Sequence, residues 1–414
     1  MNKDKHIPQG YKESPLGIIP KEWEVKRLGD LCYNQGDYGL NAPAAEYSKD
    51  LPTYLRITDI DDNGKLNSTD KKSVNNSSAE DYYLNDGDIV FARTGATVGK
   101  AYLYSVKDGQ LVYAGFLIKF SPNPHMLLPY FLKVHTETQH YNNWVAITSQ
   151  RSGQPGINAT EYCSFRIALP QIKEQERICS VLQLWDTAIE KQSELIEKLK
   201  LRKHALMQQL LTGKKRLPGF SGEWKRVSIK SIATEVSIKN KENNDYTVLS
   251  CTKYDGLVPS LEYFGKQIYS NDLDNYKIVP MHHFAYATNH IEEGSIGYQS
   301  KYEYGLISPM YTVFKTDKDV IDDIFLFAVL KSHHLTYLYQ SMMEGSINRR
   351  GGLRWNSFST IKIDLPPLNE QKAISAFLKD ADKEIELANE KLASLQSQKR
   401  GLMQQLLTGK KRIK

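Results

Sequence analysis

Apolar residues recur in alternating steps of four and three along two long stretches of the chain. The first stretch, residues 171–213, contains no proline, and no glycine before Gly213. An apolar seam that repeats every 3.5 residues on a helix is typical of a coiled coil, so the two stretches are predicted to pair, each spanning roughly 60 Å. The two seams are Ile178, Leu182, Trp185, Ile189, Gln192, Ile196, Leu199, Lys203, Leu206 and Leu210, and Ile374, Leu378, Ala381, Ile385, Ala388, Leu392, Leu395, Lys399, Leu402 and Leu406.

These stretches belong to an internal repeat. Residues 206–216 and 402–412 both read LMQQLLTGKKR, at an offset of 196. The same offset places the LPQIKEQ sequence at residue 169 on the LPPLNEQ sequence at residue 365. A weaker echo at offset 201 relates Glu22-Trp23 to Glu223-Trp224. One structural unit is therefore used twice, as a variable region followed by a constant helix.

The orientation of the helices follows from the linker. Gly213 is predicted to end the first helix, and a second variable region begins directly afterwards, which favours two helices related by a two-fold axis and hence antiparallel. We expect a fully overlapped register. Trp185 then lies opposite Lys399, with a cation-π contact, and each seam lysine lifts its charge to solvent. The alternative is that each seam packs on its own globular domain.

The two variable regions, residues 23–160 and 224–356, have a similar pattern of predicted elements but little sequence identity. Short β-rich runs alternate with turn clusters, and each region ends in a predicted helix, so an α+β domain with a compact curved sheet is expected twice. The predicted strands are Tyr54–Ile57, Asp88–Phe91, Phe116–Phe120, Tyr246–Leu249 and Met310–Phe314, and the predicted helices are Pro129–Tyr141 and Asp322–Leu338.

Three polar, glycine-containing loops carry candidate DNA contacts: ARTGATVGK at 92–100, SQRSGQPGIN at 149–158 and GSINRRGGLRW at 345–355. Arginine can grip guanine through two hydrogen bonds, and asparagine or glutamine can do so with adenine. The alternative is that these are ordinary solvated loops. The candidate residues are Arg56, Arg93, Thr94, Lys100, Arg151, Gln154, Asn158, Asn289, Arg349, Arg350 and Arg354.

Composition narrows the class of protein. With 414 residues, 40% of them hydrophobic, the chain can bury at least two cores, and its formal charge of +6 suits a polyanionic partner. The four cysteines lack the spacing of a zinc site or a disulfide framework, which favours a reducing cytoplasm. The charged N-terminus and the lack of a long apolar run make secretion and membrane spanning unexpected.

Motifs of catalysis are incomplete. GATVGK at Gly95–Lys100 is one residue short of a phosphate-binding loop, and alanine follows it. Glu24-Val25-Lys26 has no Pro-Asp dipeptide to complete a nuclease metal motif, and the Asp364-Leu-Pro-Pro sequence has the wrong order for an adenine methyltransferase. The pattern therefore predicts neither a metal site nor a catalytic centre, and disfavours a self-sufficient nuclease or methyltransferase.

The chain resembles the DNA-specificity subunit of a type I restriction-modification enzyme over nearly its whole length. The residues that carry the resemblance are Ile19–Trp23, Phe91–Lys100, Gln154–Asn158, the two helix entries at 169 and 365, and the duplicated LMQQLLTGKKR. The sequence departs from the simplest pattern in the second domain, where residues 289–297 stand at the place of ARTGATVGK, so the loop that reads bases there is undefined.

The resemblance implies an α+β fold of two α/β target-recognition domains, separated by two long antiparallel coiled-coil helices in a pseudo-two-fold repeat. Each domain would read one half of an asymmetric bipartite site in double-stranded DNA, and the helices would act as a ruler. Each half would dock one of two methylation subunits, and restriction and motor subunits would complete the complex. S-adenosylmethionine, Mg²⁺ and ATP belong to those partners, and this chain binds no cofactor.

The expected divisions are a first domain at 1–168 with an N-terminal extension at 1–20, a first helix at 169–216, a second domain at 217–364 and a second helix at 365–414. A non-catalytic, cytoplasmic DNA-binding subunit is thus the main hypothesis. The alternative is a coiled-coil scaffold whose globular ends bind protein.

Overall fold

The computed structural model describes residues 7–67, 69–344 and 352–413. The chain divides into two compact units, one formed by Met1–Ser193 with Glu390–Lys414 and the other by Glu194–Asn389. Each unit contains one variable region with half of each long helix. Over the described residues, none of the helices is long and apolar enough to cross a membrane.

Up to the first long helix, the described residues form twelve strands and three short helices. In chain order these are β1 Tyr11–Ser14, β2 Gly17–Pro20, β3 Glu24–Arg27, β4 Asp37–Tyr38, β5 Ala45–Glu46, β6 Thr53–Leu55, β7 Lys72–Ser73, β8 Ile89–Ala92, β9 Ala101–Leu103, β10 Leu111–Tyr113, β11 Leu117–Phe120, α1 Pro129–His135, α2 Gln139–Thr148, α3 Ala159–Cys163, β12 Arg166–Leu169 and the long helix α4 Ile172–Leu211.

The second variable region repeats this order with fewer strands. Its elements are β13 Lys225–Ser228, β14 Ala233–Val236, β15 Leu249–Thr252, β16 Gly256–Pro259, α5 Ser260–Phe264, β17 Lys277–Pro280, β18 Phe284–Ala287, β19 Ile296–Tyr298, β20 Tyr304–Ile307, β21 Tyr311–Thr316, α6 Asp323–Leu330, α7 His333–Glu344, α8 Trp355–Phe358, β22 Lys362–Leu365 and the long helix α9 Leu368–Leu406.

Each domain is built on the same four-stranded antiparallel sheet. The strand order is β4-β11-β8-β9 in the first domain and β14-β21-β18-β19 in the second. A separate two-stranded ladder, β3 with β12 or β13 with β22, leads into the long helix. A further sheet, β10-β6-β7-β5, is present in the first domain, where β6 and β10 run parallel. The predicted α+β class is confirmed.

Both predicted helices of the variable regions are interrupted. The stretch predicted as one helix from Pro129 forms α1 and α2, because the Thr136 hydroxyl donates back to the Lys133 carbonyl and Thr138 caps the new helix through the Tyr141 amide. The stretch predicted from Asp322 likewise forms α6 and α7. Of the predicted strands, the one at Tyr246–Leu249 is shifted, since β15 begins only at Leu249.

The seam residues of the long helices are buried or half-buried. In the first unit, Ile178 and Leu182 from the start of α4 share a core with Met403 and Leu406 from the end of α9. In the second unit it is the end of α4 and the start of α9 that share a core, which includes Leu210 and Ile374. The pairing in each unit is therefore antiparallel.

The predicted register is supported, but the predicted solvent exposure of one seam lysine, Lys399, was wrong. Lys399 forms ion pairs with Asp186 at 2.7 Å and with Glu137 at 2.8 Å, and its side chain is only 9% exposed. Its charge is therefore not lifted to solvent, and the cation-π contacts found in the described part of the chain do not include Trp185. The repeat-related Lys203 pairs with Asp382 in the second unit.

The duplicated LMQQLLTGKKR sequence ends in an arginine that, in each unit, binds a glutamate in the first turn of a long helix. Arg412 donates to the Glu174 carboxylate at 2.5 and 2.9 Å, while the buried indole of Trp23 donates to the same carboxylate at 3.1 Å. Arg216, Glu370 and Trp224 form the same arrangement in the second unit, with Glu370 only 1% exposed. The residues repeated at offset 196 and those repeated at offset 201 thus contact each other in one cluster in each unit.

Candidate nucleic-acid interface

Two of the predicted DNA-contacting loops lie side by side in the first domain. The loop after β8 pairs with the segment before α3. The Gly95 amide donates to the Pro155 carbonyl and the Ile157 amide to the Arg93 carbonyl, each at 2.9 Å. Tyr162 fixes the base of this arrangement, since its hydroxyl donates to the Ala92 carbonyl. The two loops are distant in sequence, yet they form one continuous edge, which is a candidate for contacting DNA bases and which we call the first reading edge (residues 93–95 and 154–158).

Glycine is required where the two loops approach most closely. Gly95 has a φ of +73°, and a Cβ atom there would lie 2.8 Å from the Gln154 side-chain nitrogen. The Gln154 side chain therefore lies over the backbone of Gly95, next to Thr94. A larger residue at 95 would displace Gln154 and strain the backbone.

Arg93 is the cation of the first reading edge, and its partners inside the domain are weak. Its guanidinium lies 4.8 Å from the centroid of the Tyr38 ring and makes a long hydrogen bond of 3.5 Å to the Gly115 carbonyl. No ion pair of Arg93 with a carboxylate occurs among the residues that the structure describes. The side chain is half-buried, so it is oriented while its charge stays uncompensated.

Four other candidates are already engaged inside the domain. The Arg56 guanidinium binds the Asp59 carboxylate at 2.6 Å, and Lys100 lies 2.7 Å from Asp62. The hydrogen bond from Lys100 lowers the pKa of the Asp62 carboxyl. Arg151 and Asn158 also bind groups within the domain. Arg151 donates to both oxygens of the Glu161 carboxylate, and the Asn158 side chain caps α3. These residues hold the loops in place.

The second domain has a corresponding edge at the end of β18. The Leu353 amide donates to the Thr288 carbonyl at 2.8 Å, and Leu353 stands 196 residues after Ile157. Thr288 and Asn289 therefore occupy the places of Arg93 and Thr94. A Cβ atom on Gly352 would lie 2.3 Å from the Asn289 side-chain oxygen, so the close approach again requires glycine. The segment that stands in for ARTGATVGK is residues 287–295 and not the predicted 289–297, since the Ala287 amide donates to the Ser295 carbonyl as the Ala92 amide does to the Lys100 carbonyl.

A polar cleft of about 450 Å³ opens beside this second edge. Its lining includes Glu235, Asn289, Thr312, Arg354 and Trp355. Arg354 is exposed, at the N-terminus of α8. We call these residues the second reading cleft. Sequence reasoning found Asn289 and Arg354 but missed the others, because β14 and β21 are remote in sequence and carry no loop motif.

In the first domain an aromatic side chain lies beside the reading edge. Tyr38 lies beneath Arg93, and its hydroxyl accepts from the Ala159 amide at 3.2 Å. The two reading surfaces are thus built on one scaffold but differ in shape and in the groups they present. Arg349 and Arg350, which the sequence also nominates, lie outside the described residues.

The structure contains features that resemble chemical sites but have simpler explanations. The Gly95–Thr97 segment forms a single 3-10 turn that leads into strand β9, so it lacks the helix start of a phosphate-binding loop. Burial raises the pKa of the Cys32, Cys179 and Cys251 thiols to about 12, which opposes a nucleophilic role.

One group of possible metal ligands occurs on the surface of the second domain. Donor atoms of His290, Glu292 and Glu293 lie within 4.8 Å of one another. Exposed acidic residues commonly approach each other without an ion, and we assign this group no role.

Comparison with known proteins identifies the class. The family described as Type I restriction modification DNA specificity domain matches residues 20–201 and 222–397, and the chain belongs to this family. It is 27% identical to a protein named as the MjaX specificity subunit of a type I restriction enzyme from Methanocaldococcus jannaschii, over 98% of this chain and 97% of the relative. It is 23% identical to the MjaVIII specificity subunit of the same organism, over 99% and 98% of the two chains.

Solved structures agree on the fold. The HsdS subunit from Thermoanaerobacter tengcongensis superposes with a TM-score of 0.52 at 19% identity, covering 96% of this chain and 99% of that one. A chain from a structural study of complex assembly and conformational transition of the type I R-M system gives a TM-score of 0.58 at 18% identity, covering 94% and 99%. Two variable domains with paired long helices are therefore the shared architecture.

Proposed function

We propose that this specificity subunit reads a bipartite, asymmetric site in double-stranded DNA, with one half-site for each domain. The observation that carries the proposal is the pair of equivalent edges, made by the same backbone hydrogen bond at Arg93 and at Thr288 but bearing different side chains. An identical scaffold with different reading groups suits two unlike half-sites. The chain's formal charge of +6 favours association with DNA phosphates.

At the first reading edge, Arg93, Thr94 and Gln154 are the groups we assign to base contacts. Arginine donates twice to guanine, and glutamine pairs with the exposed edge of adenine. Arg56, Lys100, Arg151 and Asn158 remain candidates by residue type; their internal partners favour a role in shaping the loops.

In the second reading cleft, Asn289, Arg354 and Glu235 are the groups we assign. Asparagine suits adenine, and a glutamate carboxylate accepts from the amino group of cytosine. Arg354, which is exposed, suits either guanine or a phosphate. Arg349 and Arg350 remain predictions for this half-site.

We assign the chemistry to partner subunits. What supports this assignment is that burial raises the pKa of the Cys32, Cys179 and Cys251 thiols to about 12, which opposes a nucleophilic role. Two methylation subunits and the restriction and motor subunits would supply S-adenosylmethionine, Mg²⁺ and ATP chemistry. The alternative, a scaffold that binds only protein, predicts no salt-sensitive affinity for DNA in fluorescence anisotropy, with or without a methylation subunit.

Arg93→Ala and Asn289→Ala are each expected to relax base preference at one half-site only. Loss of a two-bond base contact lowers discrimination by about 1 to 3 kcal/mol, which is roughly 5- to 150-fold. Sequencing of the DNA bound from a randomised pool measures both half-sites together, so each variant serves as the control for the other. A loss shared equally by both half-sites in either variant would refute the assignment of one half-site per domain.

The ruler function implied by the resemblance is also testable. Seven residues inserted into both α4 and α9 at matching levels preserve the 3.5-residue seam and add about 10 Å of helix. The preferred spacing of the half-sites should increase by about three base pairs, at roughly 3.4 Å each. Binding to duplexes with graded spacers measures it, and an unchanged optimum would exclude the ruler.

A further inference from the structure

A cleft in the first domain has a charge pattern that the reading edge does not explain. Its volume is about 430 Å³. Its lining includes the apolar side chains of Leu16, in the β1–β2 turn, and Trp144, on α2, together with Arg27 and Arg166. His140, on the exposed side of α2, completes the lining. We call this the arginine cleft.

The two arginines face each other across a strand ladder. Arg166 is the direct partner of Arg27 in the antiparallel pairing of β12 with β3. Like charges directly opposite each other on a sheet destabilise it. Both side chains are exposed, and neither forms an ion pair with a carboxylate in the described ranges of the chain. The fold therefore tolerates a local repulsion that an anion would relieve.

The corresponding ladder of the second domain lacks this repulsion. There Lys362 lies opposite Ser228, and Arg226 lies opposite Asp364. The doubled positive charge is thus a property of the first domain and is not imposed by the shared scaffold. Arg226, whose charge faces a carboxylate across the ladder, offers a matched control.

The helix α2 borders the arginine cleft, and the Ser149 carbonyl at its end accepts from the Gly156 amide of the first reading edge at 3.0 Å. The Tyr141 hydroxyl donates to the Gly99 carbonyl at 2.8 Å, and a Cβ atom on Gly99 would lie 2.7 Å from the Val145 side chain. Trp144, next to Val145, lines the cleft. From Trp144 to the end of α2 at Thr148 is roughly 6 Å along the helix axis, about the rise of two base pairs. DNA that is seated on the reading edge and runs along α2 would therefore pass the cleft.

We propose that Arg27 and Arg166 together hold one DNA backbone phosphate beside the first half-site. The inference rests on the proposed function and deepens it. Each guanidinium donates to one non-bridging oxygen of the phosphate, and the shared negative charge removes the repulsion between them. The apolar side chains of Leu16 and Trp144, which an isolated inorganic anion would leave uncovered, pack against the adjoining deoxyribose. This contact positions the DNA without reading its sequence.

The test uses the full chain with Arg27→Gln, Arg166→Gln and the double variant, and Arg226→Gln as the control. Fluorescence anisotropy with a mixed-sequence pool of DNA duplexes is measured over a series of KCl concentrations. Each single variant is expected to lose roughly tenfold in affinity. The slope of log affinity against log salt should become shallower by about 1. Sequencing of the bound fraction should show unchanged base preference at both half-sites.

A folding defect is separable from this effect. Because each single variant removes one of two opposed charges, its melting temperature should equal or exceed that of the native chain. A variant that melts lower would contradict the repulsion on which the proposal stands. Arg226→Gln should keep the native salt slope.

The remaining outcomes separate this proposal from the proposed function. If the native chain binds DNA with a salt-dependent affinity and the Arg27 and Arg166 variants keep the same slope, the phosphate contact is wrong and DNA reading stands. If those variants instead lose assembly with a methylation subunit at unchanged DNA affinity, the cleft is a protein-docking site and the proposal fails. If the native chain binds no duplex at any salt concentration, the proposed function itself fails.

Discussion

Replacing Gln371 by methionine is expected to lower the free energy of unfolding by about 3 to 5 kcal/mol. Gln371 lies in the first turn of α9 and is fully buried. Its side-chain oxygen accepts from the Asp322 amide at 2.8 Å, and its nitrogen donates to the carbonyls of Val320 and Pro366 at 3.1 and 2.8 Å. Methionine keeps the volume but leaves three buried backbone groups without partners. Urea denaturation of the full chain measures the loss.

The chain supplies its own controls for this experiment. Gln175 makes the equivalent bonds in the first unit, to the Leu128 amide and to the carbonyls of Met126 and Pro170. Gln175→Met should therefore cost a similar amount. Gln398, which is exposed on α9, should tolerate methionine within about 0.5 kcal/mol. Equal effects at Gln371 and Gln398 would show that the buried bonds contribute little.

The repeated Glu-Gln dipeptide illustrates what the sequence can and cannot predict. Its recurrence at offset 196 showed that the position is constrained. Its role could not be predicted from the sequence. Gln371 binds backbone groups of Asp322 and Val320, and every residue type carries the same backbone groups. The role of Glu370 was hidden for another reason, since Trp224 and Arg216 reach it only after the fold has brought three separate segments together.

The same limit applies to the reading surfaces. Periodicity predicted the long helices and their seams, because a 3.5-residue repeat has few structural solutions. Residue type nominated both Arg93 and Arg151, yet only Arg93 is left without a carboxylate partner in the described chain, because Glu161 lies beside Arg151. Whether a loop cation faces solvent or an internal carboxylate is decided by tertiary neighbours. Glu235 carried no signal, since it lies within a short strand that borders the cleft only through pairing with β21.

Lys399→Met is expected to lower the free energy of unfolding by about 2 kcal/mol. The equivalent lysine of the other repeat copy, Lys203, should contribute less, because it is more exposed. Lys399 lies between Asp186 and Glu137, and Glu137 also pairs with Lys133 at 3.0 Å. Removing the ammonium leaves two half-buried carboxylates close to each other without the cation between them. The estimate is below that for a fully buried pair, because the side chains of Asp186 and Glu137 are 41% and 31% exposed.

Lys203→Met is the matched control, because Lys203 occupies the same seam position in the other copy. Its side chain is 26% exposed and its partner Asp382 is 61% exposed, so the loss should stay below about 1 kcal/mol. Urea denaturation of both variants gives the comparison. Equal losses would mean that burial at Lys399 adds nothing to the ion pairs.

The pH dependence provides an independent check on Lys399. Burial by itself would lower the pKa of Lys399, but Glu137 and Asp186 outweigh it and raise the pKa above its ordinary value. A raised pKa in the folded state means that the stabilisation is complete below the unfolded value, about 10.4, and is lost as pH rises through the folded value. The stability difference between the native chain and Lys399→Met should therefore be constant near neutral pH and shrink only at strongly alkaline pH. A difference that disappears between pH 6 and 9 would mean that other groups than this lysine control it.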